Sequence, residues 1–121
     1  MTEPIRVIVV DDDPLVRSAL TLMLGGQPDI NVVGEAGDGR AAIKLVDAQR
    51  PDIVLMDIRM PVLDGLAATA ALHARPDPPR VIVLTTFDAD DHVVGALAAG
   101  ADGFLLKDTP PAEIVAALRR V

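Results

Sequence analysis

The run Ile53-Val54-Leu55-Met56 ends in a single carboxylate, Asp57, followed by Ile58-Arg59-Met60-Pro61 and, shortly after, Gly65. A short, wholly apolar run bounded by turn signals reads as a strand buried on both faces, which is what a parallel sheet covered by helices requires. Such a strand hands its next side chain to the rim of the sheet, so Asp57 is expected at an edge open to ligands. Four more stretches share this character: Ile5-Arg6-Val7-Ile8-Val9-Val10, Ile30-Asn31-Val32-Val33-Gly34-Glu35, Val81-Ile82-Val83-Leu84 and Phe104-Leu105-Leu106. The second of these is the more polar and is expected nearer an edge.

Helical patterns fill the intervals. Asp13 and Pro14 open the first helix, Leu15, Ala19, Leu22 and Val16, Leu20, Met23 recur at helical spacing along it, and Gly25-Gly26 stop it. Asp38 caps a second that carries Ala42, Leu45 and Val46 and stops by Arg50-Pro51. An Ala-rich third runs from near Leu66 to Ala74, before the rigid connector Arg75-Pro76-Asp77-Pro78-Pro79. A fourth, from near Asp91 to Ala99, is stopped by Gly100 and interrupted by Gly95, so its intrinsic stability is low. Thr109 is expected to cap, and Pro110-Pro111 to open, a last helix with Ile114, Leu118 and Val121 on one face. Strand and helix alternate five times. That predicts one α/β domain, a parallel sheet with helices on both faces.

Composition narrows the function. The 121 residues are 50% hydrophobic, enough for a core. Eleven basic against 18 acidic residues leave a net charge of −7, which repels nucleic acid, so this stretch is not expected to bind DNA by itself. With no Trp or Tyr, and only Phe87 and Phe104, base-stacking platforms are nearly excluded. The absence of cysteine excludes disulfides and thiolate metal sites and fits a cytoplasmic protein. No apolar run approaches the roughly 20 residues that span a bilayer, and Met1-Thr2-Glu3-Pro4 does not start a signal peptide. Arg119-Arg120-Val121 breaks off within a helical pattern, so a longer natural chain is expected.

The chemistry lies at the strand ends. Asp11-Asp12, Asp57, Thr85 and Lys107 each come directly after a different apolar run. In an open parallel sheet these positions share the C-terminal rim, where ligands bind. Three neighbouring carboxylates repel one another and call for a cation. Hard oxygen ligands suit Mg²⁺, which takes only a few protein groups. One carboxylate is then left to attack a phosphorus atom. The metal, the Lys107 ammonium and the Thr85 hydroxyl could each serve one equatorial oxygen of a transferring phosphoryl group. Singly, each residue has a plainer reading as turn, cap or solvated charge. That reading is kept for Asp13, Asp38 and Asp64. His73 and His92 are read as surface residues and the methionines as packing. The joint pattern argues for a site.

The chain resembles, over essentially its whole length, the receiver domain of bacterial two-component response regulators. Val9-Val10-Asp11-Asp12 is similar to that family's acidic pair, Met56-Asp57 through Pro61 and Gly65 to its phosphoacceptor segment, Leu84-Thr85 to its switch hydroxyl and Leu106-Lys107 to its lysine. The stretches Leu84-Thr85-Thr86-Phe87-Asp88 and Ala99 through Asp108 look like the NarL/FixJ subfamily, which carries a LuxR-type helix-turn-helix output domain. The resemblance implies a flavodoxin-like (CheY-like) doubly wound sheet of five parallel strands in order 2-1-3-4-5, with five helices. It implies that Asp57 accepts a phosphoryl group from a sensor histidine kinase. Mg²⁺ (or Mn²⁺) would be held by Asp11, Asp12, Asp57 and the backbone carbonyl of Arg59. Lys107 would pair with the phosphate, and Thr85 would swing toward it and let Phe104 move inward. The implied protein is a cytoplasmic signalling domain, not an enzyme beyond its own phosphotransfer and dephosphorylation. It would form homodimers on phosphorylation and reach DNA only through a C-terminal output domain absent from this chain.

Many members have proline after the lysine, in a cis peptide; here Asp108 occupies that place. A cis bond without proline costs about 2.5–4 kcal/mol, so a trans peptide is expected. Arg59 and Phe87 are expected to flank the acceptor and tune the access of water. Two other classes stay open. Asp11-Asp12-Asp13 is superficially similar to the start of a haloacid-dehalogenase-type phosphohydrolase, with Asp11 as nucleophile. Against it, Leu15 stands where a threonine is expected, and there is no room for a cap domain. The other is an interaction module that works without phosphorylation.

Overall fold

Strands β1 (Ile5–Val10), β2 (Ile30–Ala36), β3 (Ile53–Asp57), β4 (Arg80–Thr85) and β5 (Gly103–Leu106) lie parallel in the order β2-β1-β3-β4-β5. The computed structural model describes residues 3–85 and 90–121, the side chains of 90–94 excepted. Helices α1 (Pro14–Gly25), α2 (Gly39–Gln49), α3 (Gly65–His73), α4 (Asp90–Ala99) and α5 (Pro111–Arg120) alternate with the strands, as the sequence predicts. The polar strand β2 is indeed at an edge. The central strand β3 is buried at all five positions, from Ile53 to Asp57.

Alternation along the strands builds two cores. Ile8, Val10, Val54, Met56, Val81 and Val83 face α2, α3 and α4, where Ala42, Val46, Ala68, Leu72 and Ala96 meet them. Val7, Val9, Ile53, Leu55 and Ile82 face α1 and α5, where Leu24, Ile114, Val115 and Leu118 meet them. Full burial of one such side chain contributes roughly 1.5–3 kcal/mol, so the two layers together hold the sheet in place.

The caps follow the sequence at three helices and depart from it at one. Asp13 accepts from Leu15 N at 2.9 Å, Asp38 from Ala41 N and Asp64 from Ala67 N, both at 2.8 Å. Thr109, expected to cap α5, does not. The N-cap is Pro110, which has no side-chain acceptor, and the Thr109 amide instead closes a turn onto Leu106 O at 3.0 Å. Each proline fixes its own φ, and the pair carries the start of α5 without a polar cap. Arg50 ends α2 in the left-handed region (φ 46) and Gly100 ends α4 at φ 99. A Cβ on Gly100 would stand 2.4 Å from the His73 ring, so glycine is required there on both counts.

Two apolar faces differ from expectation. On α1, Leu20 and Met23 pack toward the core, whereas Leu15 and Leu22 are 80% and 79% exposed and Ala19 is exposed with them. Helical spacing alone places two apolar stripes there and does not say which one the sheet covers. Val121 lies past the last turn of α5 and is 38% exposed, so it does not extend the buried stripe of Ile114 and Leu118. Met56 is fully buried, Met23 and Met60 pack at the edges of the cores, and His73 is exposed, as expected.

Candidate functional site

The strand order puts β1 beside β3 and β4 on its other side, which brings the predicted groups to one rim. Asp11 follows β1 directly and is 1% exposed; Asp57 closes β3 at 7%. Asp12 is exposed, and the carboxylate oxygens of Asp11, Asp12 and Asp57 lie within 4.8 Å of one another. Thr85 is the last residue of β4, 3% exposed, one step beyond the pairing of Asp57 with Leu84. Lys107 follows β5, and its amide donates to Thr85 O at 2.6 Å.

Lys107 closes the cluster. Its Nζ stands 2.6 Å from Asp11 Oδ2 and 3.3 Å from Asp57 Oδ1. Asp57 Oδ1 also accepts from the Ile58 amide at 2.9 Å, and Asp11 Oδ1 from the Asp13 amide at 2.9 Å. Asp11 Oδ2 is buried, and the Lys107 ammonium 2.6 Å away is the cation that meets it. Carboxylates crowded at a buried rim are costly unless cations approach them. The donor set, three clustered carboxylates against the Lys107 ammonium, therefore fits a hard divalent cation such as Mg²⁺.

Electrostatics follow from this crowding. Burial raises the pKa of Asp57 from 3.8 to about 6, and the Asp11 charge adds to the rise, against the Lys107 ammonium and the Ile58 amide. Burial works against the Lys107 charge, but the pairs with Asp11 and Asp57 outweigh it and hold the ammonium above its ordinary range.

The loop from β3 to α3 shapes the surroundings of Asp57. Gly65 N donates to Ile58 O at 2.7 Å, and a Cβ on Gly65 would lie 1.8 Å from the Asp57 carbonyl oxygen. Only glycine lets α3 begin that close to Asp57. Between them, Val62 has φ 69 and the Leu63 amide closes onto Pro61 O at 2.7 Å, a γ-turn in its rare positive-φ form. The same loop is tied to α2 by Gly39 N donating to Leu63 O at 2.9 Å.

Asp11, Asp12, Asp57 and Lys107 are thus brought together, with Thr85 at the adjoining strand end. Arg59 is exposed in the loop two residues past Asp57. Phe104 is half-buried in β5, paired with Val83 and packed on the core beside α2, α3 and α4. Phe87, expected beside the acceptor, lies outside the described residues, as do Thr86 and Asp88. Among the described residues no peptide bond is cis, so the Lys107–Asp108 peptide is trans as expected. Sequence reasoning passed over Arg17, whose Nη1 donates to the Asp11 carbonyl at 2.7 Å, and Glu35, which accepts from Arg17 Nε at 3.2 Å. Arg17 stands four residues past the cap Asp13, a spacing that lets a long side chain reach back over the helix start.

Comparison with known proteins agrees with this geometry. The family profile described as the response regulator receiver domain matches residues 7–119. The transcriptional regulatory protein LiaR of Bacillus subtilis (strain 168) is 44% identical over 115 residues, which is 95% of this chain and 54% of LiaR. The chain spans about half the length of the curated relatives it matches. Among solved structures, the signal receiver domain of the putative response regulator NarL from Mycobacterium tuberculosis superposes with a TM-score of 0.94 at 44% identity, covering 98% of this chain and 96% of that one. The CheX–CheY–BeF₃–Mg²⁺ complex from Borrelia burgdorferi superposes at 0.89 with 26% identity, over 98% of this chain and 89% of that one. Among the described residues no helix is long and apolar enough to cross a membrane. Fold, rim and relatives agree, and the chain belongs to the response regulator receiver domain family, with NarL- and LuxR-type transcriptional regulators among its relatives.

Proposed function

We propose that this chain is a phosphoacceptor switch in which Asp57 takes a phosphoryl group from a phosphohistidine of a sensor kinase. The observation that carries the reading is the buried Asp57 carboxylate, clustered with Asp11 and Asp12 and faced by Lys107. A carboxylate oxygen of Asp57 attacks phosphorus, the bond from phosphorus to the imidazole nitrogen breaks, and its electron pair returns to the departing histidine. The product is an acyl phosphate on Asp57. Asp11, Asp12, Asp57 and the Arg59 carbonyl would hold Mg²⁺ or Mn²⁺, which when bound neutralises charge gathering on the phosphoryl oxygens. Lys107 neutralises the opposite side, and burial of the rim keeps these interactions strong.

The new charge is read by Thr85 and Lys107, on neighbouring strand ends, and Phe104 on β5 follows Thr85. Half the length of the relatives lies outside this chain, and the relatives are transcriptional regulators, which supports a DNA-binding output domain in a cytoplasmic protein that dimerises on phosphorylation. The phosphohydrolase reading, with Asp11 as nucleophile, is disfavoured because the receiver-domain profile matches residues 7–119, nearly the whole chain. Incubation with a small phosphodonor and Mg²⁺, followed by mass spectrometry, tests the proposal. Labelling is expected in the parent chain and not in Asp57→Asn. Labelling that persists in Asp57→Asn and vanishes in Asp11→Asn would overturn it.

A further inference from the structure

We propose that Arg17 is a positioning residue for the metal pocket: anchored by Glu35, it grips the main chain at Asp11 and so aims the paired carboxylates at a divalent cation. This rests on the metal-assisted reading above and adds two residues to it.

Strand β1 must turn into α1 immediately after Asp11, through two further acids, Asp12 and Asp13. Its pairing with β2 ends where the Asp11 amide donates to Ala36 O at 3.1 Å. Beyond that point the Asp11 carbonyl is taken by a side chain, Arg17 Nη1, at 2.7 Å. Asp11 is therefore held at its amide by β2, at its carbonyl by α1 and at Oδ1 by the Asp13 amide. Those three bonds set the peptide planes on both sides of Asp11, and with them the directions of the Asp11 and Asp12 side chains. A guanidinium suits the task because it is rigid, always charged and offers donors along two edges. One edge meets the carbonyl and the other Glu35, and the Arg17 side chain is only 23% exposed.

The placement of Glu35 is itself a built feature. Val7 pairs with Val32, but Ile8 pairs with Gly34 and Val9 with Glu35, so β2 carries one extra residue between. In an uninterrupted ladder Glu35 would stand opposite Val10, on the face covered by α2, α3 and α4. The bulge moves it opposite Val9, onto the face covered by α1, where Arg17 lies. Bulges beside functional sites commonly re-aim one side chain in this way. As a half-exposed ion pair, Arg17 with Glu35 would contribute little to stability. Its consequence falls on the ligand whose backbone it holds.

The test turns on sign. Arg17 is a cation beside an anionic pocket, so by Coulomb's law alone its removal strengthens Mg²⁺ binding. Positioning predicts the reverse. Calorimetric titration of the chain with Mg²⁺ should show Arg17→Met binding roughly tenfold more weakly, in line with lost outer-shell support. Arg17→Lys keeps the charge and loses the two-edged fork, so its affinity should fall between Arg17→Met and the parent. Without metal, NMR hydrogen exchange of the Asp13 amide, bonded to Asp11 Oδ1, should accelerate in both variants. Parent-like Mg²⁺ affinity in Arg17→Lys, or tighter binding in Arg17→Met, overturns the inference. The lysine variant carries the test if the methionine one does not fold. A parent chain that binds no Mg²⁺ overturns the metal-assisted reading itself and this inference with it.

Discussion

Lys107 lies closer to Asp11 than to the acceptor: its Nζ is 2.6 Å from Asp11 Oδ2 and 3.3 Å from Asp57 Oδ1. On the metal-assisted reading, the lysine and a divalent cation would contend for the same oxygens before any phosphate arrives. Lys107→Met should raise Mg²⁺ affinity roughly tenfold, by removing a competing charge at contact distance. It should also slow labelling of Asp57 by about a hundredfold, the usual effect of losing one group that meets developing negative charge. Calorimetry and labelling time courses measure the two effects separately, and a variant that binds Mg²⁺ more weakly would contradict the competition.

The raised pKa of Asp57 makes metal-free stability depend on pH. Burial, with help from Asp11, lifts it from 3.8 to about 6. The folded state therefore binds this proton more tightly than the unfolded chain does. The stabilisation is complete below pH 4 and is lost as pH rises through about 6, with a ceiling of about 3 kcal/mol. Asn at this position resembles the protonated acid and cannot titrate. In EDTA, Asp57→Asn should melt near the parent at pH 4 and clearly above it at pH 7.5. Parallel melting curves across that range would show that Asp57 titrates normally.

Gly65 is the tightest steric point of the acceptor loop. Its missing Cβ leaves room for the Asp57 carbonyl oxygen, which would otherwise be 1.8 Å away. Gly65→Ala should destabilise the chain by about 3 kcal/mol or more, since neither backbone can yield without moving the acceptor. Urea unfolding measures the loss. Asp57 labelling in whatever remains folded should fall as well.

Val62 carries strain in the open. It is a β-branched residue at φ 69, 70% exposed, and the loop gains no burial from it. Val62→Asn should stabilise the fold by about 1 kcal/mol, raising the melting temperature by roughly 3–6 °C. No gain would mean that the Pro61–Leu63 turn accommodates valine without strain.

The parts of the fold set by strong local periodicity were legible in the sequence. Five apolar runs, the caps Asp13, Asp38 and Asp64, and the stop at Gly100 all stand where spacing and residue type put them. The grouping of the candidate site was legible because Asp11-Asp12, Asp57, Thr85 and Lys107 stand at the ends of four different strands. The hidden parts depend on three-dimensional competition. Two stripes of α1 are equally apolar, and only docking decides that Leu20 and Met23 go in while Leu15 and Leu22 stay out. Thr109 is a good cap by type, yet two prolines start α5 one residue later. The bulge in β2 leaves no mark on alternation that is already irregular, so the partnership of Glu35 with Arg17 could not be read from the chain.

Strand β3 is flanked on both sides and buried at every residue, so its amides should be among the last to exchange with solvent. The covalent event proposed for Asp57 would thus be written at the point of the molecule least able to move. Modification there cannot announce itself by displacing its own strand. On the proposed reading it would act through the groups at neighbouring strand ends, on the side of β3 that leads through β4 to the four-residue edge strand β5. On that reading Asp11 and Asp12 lie to one side of Asp57, and Thr85 and Phe104 to the other. Substitutions at Thr85 or Phe104 should then spare labelling of Asp57, whereas Lys107, which meets both Asp11 and Asp57, belongs to both sides.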